Sequence, residues 1–224
     1  QYRAFDKREV TINVRGGDPQ KHTILMSHLG PVVAVHGKKA YAAAMAYADA
    51  VGTSTAWHYF NMAKDYKDFQ KGLDTLEIFP QNIMTADTSG NLYYQRAGRV
   101  PVRPSGFDYS VPVDGSTSAS AWQGIHPTAD LLQVLNPPQG YMQNCNIPPD
   151  AMIPSSPFKL ADTRDYIFAS KDYGPVRDGW INQRGARAIE LLSADDSVTV
   201  DEALAYAVDT KVYGVERWIG ELKK

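Results

Sequence analysis

The chain has 224 residues and a formal net charge of −2, with 43% hydrophobic and 21% charged residues. Lys and Arg stand singly between acids, so no basic stripe exists to track phosphates and nucleic acid is excluded as a partner. No apolar run approaches the ~20 residues needed to cross a bilayer, so no membrane partner is expected and the chain reads as soluble, globular and long enough to bury roughly 70% of its unfolded surface.

The opening residues, Gln1 to Glu9, have neither the apolar block nor the small-residue cleavage site of a signal peptide and look cut from something longer. Val10, Ile12 and Val14 alternate with polar residues, then Gly16 to Pro19 turns the chain, and apolar character returns at Ile24 to Met26. That pattern predicts a hairpin. The alanine-rich run from Ala40 to Ala48 suits helix or buried strand, and its flanks lean towards strand.

From Thr53 the apolar residues Tyr59, Met62, Tyr66, Phe69, Leu73 and Leu76 recur at steps of three and four, which predicts one amphipathic helix capped by Thr53 or Ser54. Such a stripe is read as core, not as a cofactor box. Residues 82–87 and 92–96 flank a Thr-Ser-Gly-Asn turn and predict a second hairpin, with Gly90 free to take positive φ. Residues 99–160 hold most of the chain's 14 prolines and predict a long irregular excursion with only short strands, the kind of segment that forms a functional surface. The tail is helical. One helix spans Asn182 to Leu192, Thr199 and Glu202 form a capping box opening the next, and Val215, Trp218, Ile219 and Leu222 supply a last amphipathic face.

Few residues suggest chemistry on their own. Cys145 is the single cysteine, with no base beside it in sequence, and reads as a small buried hydrophobe. His22, His28, His36, His58 and His126 show no metal-ligand spacing and read as structural or solvated. The acidic pairs at 195–196 and 201–202 sit near a helix start, where carboxylates complement the macrodipole. Asp172, Arg177 and Asp178 are loop charges, and no glycine-rich phosphate loop is present. The residues alone therefore give an α/β (α+β) domain, an asparagine pair around Cys145, and no complete catalytic set.

Several segments taken in order resemble the β-chain of the penicillin acylase (penicillin amidase) family of N-terminal-nucleophile hydrolases. Residues 27–33, SHLGPVV, look like that family's hHGPV strand, and residues 82–98, NIMTADTSGNLYYQRAG, are similar to its N-x-x-x-A-D-x-x-G-N-I-x-Y hairpin, continued through Arg99 to Arg103. Residues 136–146, NPPQGYMQNCN, resemble N-P-x-x-G-Y-I-x-N-x-N, and residues 183–192, QRGARAIELL, resemble the following R-x-x-R-I-x-x-L-L helix. The resemblance covers nearly the whole chain.

It implies part of a four-layer αββα sandwich and hydrolysis of a linear amide through an acyl-enzyme. Asn146 would donate its side-chain amide to the oxyanion, Arg184 would help orient that asparagine, Asn144 would support the surrounding backbone, and Arg187 would be structural. Residue 1 is Gln and can be neither nucleophile nor base. The nucleophile, the second oxyanion donor and a processed α-chain are expected on absent parts of the protein, which would be this chain's partners beside a small-molecule amide substrate, and the fragment alone is expected to be inactive. Calcium is possible in the full-length protein, but of its family ligands only Asp108 falls near a contributing position, and Pro157 stands about where an acid would be. No metal and no other cofactor is expected on this chain. The family implies the periplasm or exterior. The alternative of another class is a non-catalytic module keeping the scaffold for binding or assembly.

Overall fold

The computed structural model describes residues 3–159, 162, 165, 166 and 181–224, and the mixture of helix and sheet makes it α+β. Gln1, Asp172, Arg177 and Asp178 lie outside the described residues. The chain divides into two compact units, one ending at Ala50 and completed by Val102–Gly124, the other formed by Val51–Pro101 and the chain from Ile125 on. The irregular excursion therefore contributes to both.

In the first unit β1 (Asp6–Ile12), β2 (Gln20–Ser27), β3 (Gly30–His36) and β4 (Lys39–Ala42) form an antiparallel meander in chain order. The predicted first hairpin is present, with Arg8 opposite Ile24 and Val10 opposite His22. The alanine-rich run is strand only to Ala42. Ala43 donates its N–H to the Pro31 carbonyl at 2.9 Å, and beyond it Ala48 and Ala50 bond back to Met45 and Tyr47 in turns. After Ala42 the run continues in turns, so its alanines take neither regular form. Val102–Gly124 is held at its ends by Val102 N–H to Gly124 O and Gln123 N–H to Val102 O, both 2.9 Å, while the Arg103 guanidinium lies 5.7 Å from the Tyr109 ring and 5.4 Å from that of Trp122, within cation–π range.

The second unit is built on β5 (Gln81–Ala86), β6 (Leu92–Ala97) and β7 (Gln133–Leu135), an antiparallel sheet in that order. The hairpin between β5 and β6 is the predicted one, and Gly90 has φ +85. Asp87 organises the turn: its carboxylate accepts the N–H groups of Ser89 and Asn91 and the Asn91 side-chain amide at 2.9–3.2 Å. Those bonds, Asn91 foremost, hold the carboxyl below its ordinary value.

Successive residues of β5 and β6 point to opposite faces, and both faces are covered. Ile83, Tyr93 and Ala97 pack with Ala56, Phe60, Tyr66, Phe69, Leu73 and Ile78. Met84 and Tyr94 on the other side pack with Met142, Ile147, Ala151, Met152, Ile153, Phe158 and Ile181. The sheet is thus sandwiched between a helical layer and the proline-rich segment.

That helical layer is two helices where one was predicted: α1 (Thr53–Met62) and α2 (Tyr66–Asp74). The break follows from Asp65, whose carboxylate accepts the Asp68 N–H at 2.8 Å and caps α2; Ala63 is extended. The break resets the phase of the stripe, so Ala56 and Phe60 face the core while Tyr59 and Met62 are exposed. Neither expected cap is used. The α1 N-cap is Gly52, and the Thr53 hydroxyl donates to the Glu77 carbonyl at 2.9 Å. Glu77 also accepts the Gly52 N–H at 3.0 Å and ion-pairs with Arg99, locking the α1 start to the end of the hairpin.

Towards the C-terminus lie α3 (Gln183–Ser193), α4 (Val200–Ala207) and α5 (Val215–Leu222). The capping box is present: Thr199 N–H reaches Glu202 Oε2 at 2.8 Å while Thr199 Oγ1 accepts the Glu202 N–H at 3.3 Å. Asp201 and Glu202 occupy the first turn of α4 as expected. Asp195 lies before it and instead accepts the Ser197 N–H and the Tyr206 hydroxyl. No described helix is long and apolar enough to cross a membrane.

Candidate functional site

The segment from Asn136 to Ile153 has no regular structure beyond two short turns, at 137–140 and Pro149–Ala151, and specific anchors hold it. Asn136, at φ +51, ties the loop to the hairpin through backbone and side chain: its N–H donates to Leu92 O at 2.7 Å and its side-chain Oδ1 accepts the Leu92 N–H at 2.8 Å. Further on, Gln143 N–H donates to Met152 O at 3.0 Å and its side-chain amide to Ala151 O at 2.9 Å, closing a loop. Ile147, Pro148, Pro149 and Met152 are buried, whereas Asn144 and Asn146 are exposed. The buried anchors leave the two asparagines at an outward bend.

Asn146 adopts φ +59, a left-handed conformation that asparagine tolerates better than most residues. Its N–H donates to Asn144 Oδ1 at 3.2 Å, a local side-chain turn. Helix α3 arrives beside this bend. Asn182 caps the helix, its Oδ1 accepting the Gly185 N–H at 2.9 Å, and turns its Nδ2 onto the Cys145 carbonyl at 2.7 Å. Two residues later Arg184 donates through Nη2 to the same carbonyl at 3.0 Å and to Asn146 Oδ1 at 2.8 Å.

That last bond decides the orientation of the Asn146 carboxamide. A guanidinium has donors only, so the oxygen must face Arg184 and both N–H groups of Nδ2 point away from it. Among the described residues, Nδ2 has no protein partner. The arrangement presents an uncharged donor that does not titrate, braced from behind by a fixed cation.

The bend is also held from the sheet. Asn82 Nδ2 donates to Asn144 Oδ1 at 2.9 Å and to Ile147 O at 3.0 Å, and Asn82 Oδ1 accepts the Tyr94 hydroxyl at 2.8 Å. Tyr94 is fully buried, and desolvation pushes its phenol far above the ordinary value.

Asn144, Asn146 and Arg184 thus lie in one hydrogen-bonded cluster. Cys145 is half-buried, not the buried hydrophobe expected, and it is its carbonyl that takes part, accepting from the Asn182 and Arg184 side chains. Arg187 turns to Asp209, with which it forms a bidentate pair at 3.0 and 2.8 Å, and to Glu190 at 2.8 Å. His126 bonds Asp165 at 2.8 Å. Sequence reasoning assigned no role to Asn82, Tyr94 or Asn182, although all three lie in segments it singled out; the helix-capping position of Asn182 was the one local signal available.

Calcium takes six to eight oxygens. Asp108 spends one carboxylate oxygen on the Ser110 N–H and hydroxyl, and no three His, Cys, Asp or Glu side chains converge among the described residues.

The α+β scaffold and the sequence it carries match a known family. The penicillin amidase family model matches residues 1–224, and the chain belongs to that family. It is 32% identical to penicillin G acylase of Escherichia coli over 66% of this chain and 18% of the relative. With the acyl-homoserine lactone acylase PvdQ of Pseudomonas fluorescens it shares 24% identity over 98% of this chain and 31% of the relative. Its fold resembles the structure of a thermostable penicillin G acylase from Alcaligenes faecalis, with TM-score 0.72 and 24% identity, over 91% of this chain and 34% of the other. The chain thus spans between about a fifth and a third of the length of these relatives, all of them named as acylases.

Proposed function

We propose that this chain is part of an acylase that hydrolyses a linear amide, and that Asn146 supplies one of its two oxyanion donors. The substrate joins an acyl group to an amine such as a β-lactam nucleus or homoserine lactone. A hydroxyl or thiol at the start of the mature β-chain attacks the carbonyl carbon and passes its proton to its own α-amino group. The carbonyl π electrons move onto oxygen, where the Asn146 Nδ2–H and a backbone N–H receive the charge. Collapse expels the amine, which takes the proton, and water then repeats the sequence on the acyl-enzyme. Arg184 positions Asn146. Asn144 braces the bend. Nucleophile, base and backbone donor come from partner segments outside these 224 residues, so the chain by itself is inactive. No metal or other cofactor acts on this chain, and the parent works in the periplasm or outside the cell, an assignment carried by the family resemblance alone.

The observation that carries this reading is the 2.8 Å bond from Arg184 to Asn146 Oδ1, which turns the amide nitrogen outward. The test is turnover by the full-length protein of a panel running from phenylacetyl amides to long-chain acyl-homoserine lactones. Asn146→Ala is expected to lower kcat by ~10²–10³, the usual cost of one oxyanion donor. Asn146→Asp, which keeps an acceptor for Arg184 but loses the donor, should be equally slow, and melting temperature should hold in both. Unchanged turnover removes Asn146 from the site; no turnover of any panel member by the wild type defeats the hydrolase reading.

A further inference from the structure

The Tyr94–Asn82 pair lies outside the assigned machinery, and its geometry is too specific for generic packing. Asn82 sits opposite Arg96, and Tyr94 opposite Met84, so Asn82 and Tyr94 are diagonal neighbours on one face of the hairpin. The ring of Tyr94 is fixed in the core beside Ile147 and Met152. Its hydroxyl has a partner on Asn82, and because burial keeps the phenol protonated, that hydroxyl is a permanent donor. The oxygen of Asn82 is therefore committed to Tyr94, and its nitrogen must face the bend.

Both acceptors that Asn82 finds there bracket Asn146. One is the Ile147 carbonyl, immediately after it; the other is Asn144 Oδ1, which in turn accepts the Asn146 N–H. From the helix side Arg184 and Asn182 grip the bend at the Cys145 carbonyl and the Asn146 side chain. Two fixed elements thus restrain the left-handed residue, and the sheet-side restraint runs through a single carboxamide.

We infer that Asn82, oriented by Tyr94, is a positioning residue for the oxyanion donor, setting where the Asn146 amide points without touching substrate. The inference rests on the proposed role of Asn146. Small misplacements near reacting atoms are costly: a shift of ~1 Å can reduce rate by about 10²-fold.

The experiment is a double-mutant cycle in the full-length acylase, assayed on whichever panel substrate the wild type turns over. Tyr94→Phe removes only the hydroxyl and should lower kcat by about tenfold. Asn82→Ala, and Asn82→Asp, which keeps the acceptor for Tyr94 but loses both donors, should lower it by about 30-fold. KM should stay within about twofold in each. Repeated in the Asn146→Ala background, the same changes should alter kcat by less than about twofold, because the group they position is gone. Equal losses in both backgrounds, an effect on KM alone, or no effect in an active Asn146 enzyme overturns the inference while leaving the oxyanion reading intact. If Asn146→Ala itself turns over normally, the oxyanion reading falls first and the inference with it. Should the Asn82 variants fail to fold, Tyr94→Phe, which keeps the ring in place, decides alone.

Discussion

The β1–β4 meander and the β5–β7 sheet use the same antiparallel pairing yet are held in different ways. In β3 of the meander, Val33 is 67% exposed and Val35 63%, and no residue of its four strands is fully buried. In β6, by contrast, four of six residues are buried and both faces contribute. Register in the meander comes from local backbone bonds and turns. In the second sheet it comes from side chains locked between two layers, where a one-residue slip would move Tyr94 out of its cluster. Precision at the 144–146 bend requires the second kind, since only a strand pinned on both faces can hand a neighbouring loop a fixed hydroxyl and amide.

The widest separation between the two regions should appear on truncating a strand or helix side chain in each. Leu73→Ala removes a residue 3% exposed beneath β6 and should cost about 3 kcal/mol, read by chemical denaturation. Val33→Ala should stay within about 0.5 kcal/mol. What the meander does not tolerate is a change at Gly30. That residue has φ +138, and a Cβ there would stand 2.0 Å from the Ala43 carbonyl oxygen, so Gly30→Ala should cost about 2 kcal/mol through strained backbone. A Val33→Ala penalty as large as that of Leu73→Ala would erase the distinction.

How much of this was legible in the sequence follows the same division between local and distant causes. The 87–91 turn, the capping box at Thr199 and Glu202, and the tail helices were readable because donor and acceptor lie within a few residues. The split of the Thr53 helix was missed because Asp65, a local cap, interrupts a stripe that continues in phase only on paper. Thr53 was misjudged as a cap because its hydroxyl goes to Glu77, 24 residues on. Asn146 and Arg184 stand 38 residues apart, and periodicity carries no information about such a pair. Family resemblance points to both, whereas Asn82 bonds Asn144 and Ile147 across 62 and 65 residues, and nothing near it in the sequence signals either bond.

A smaller effect sharpens the contrast from the polar side, because the C-terminal helices have neither the core of β6 nor the ladder of the meander. Helices α4 and α5 contain no buried residue, so caps and ionic contacts must do more. Thr199→Ala opens the capping box and should cost about 1 kcal/mol, read as earlier fraying of α4 by hydrogen exchange.

The smallest and most diagnostic effect is in pH. The guanidinium of Arg187 holds the Asp209 carboxyl, and that of Glu190, below their ordinary values, while the Asp195 carboxylate, accepting its hydroxyl, pushes the Tyr206 phenol up to about 12. A depressed carboxylate contributes stability that is complete above its unfolded value and is lost as pH falls through the folded one. A raised phenol contributes stability that is complete below its unfolded value, ordinarily 10.0, and is lost as pH rises towards about 12. Hydrogen-exchange protection of α3 and α4 should therefore be flat between the ordinary carboxylate and phenol ranges and decline beyond each. Asp209→Asn should remove the acid decline attributable to that pair, and Tyr206→Phe the alkaline one, with β5 and β6 unaffected by either. The sheet keeps its own pH response in both variants, on the acid side through the depressed Asp87 carboxyl and on the alkaline side through the buried Tyr94 phenol, so a change in the β6 profile on either substitution would mean that the C-terminal charge pairs also hold the sheet that aims the bend.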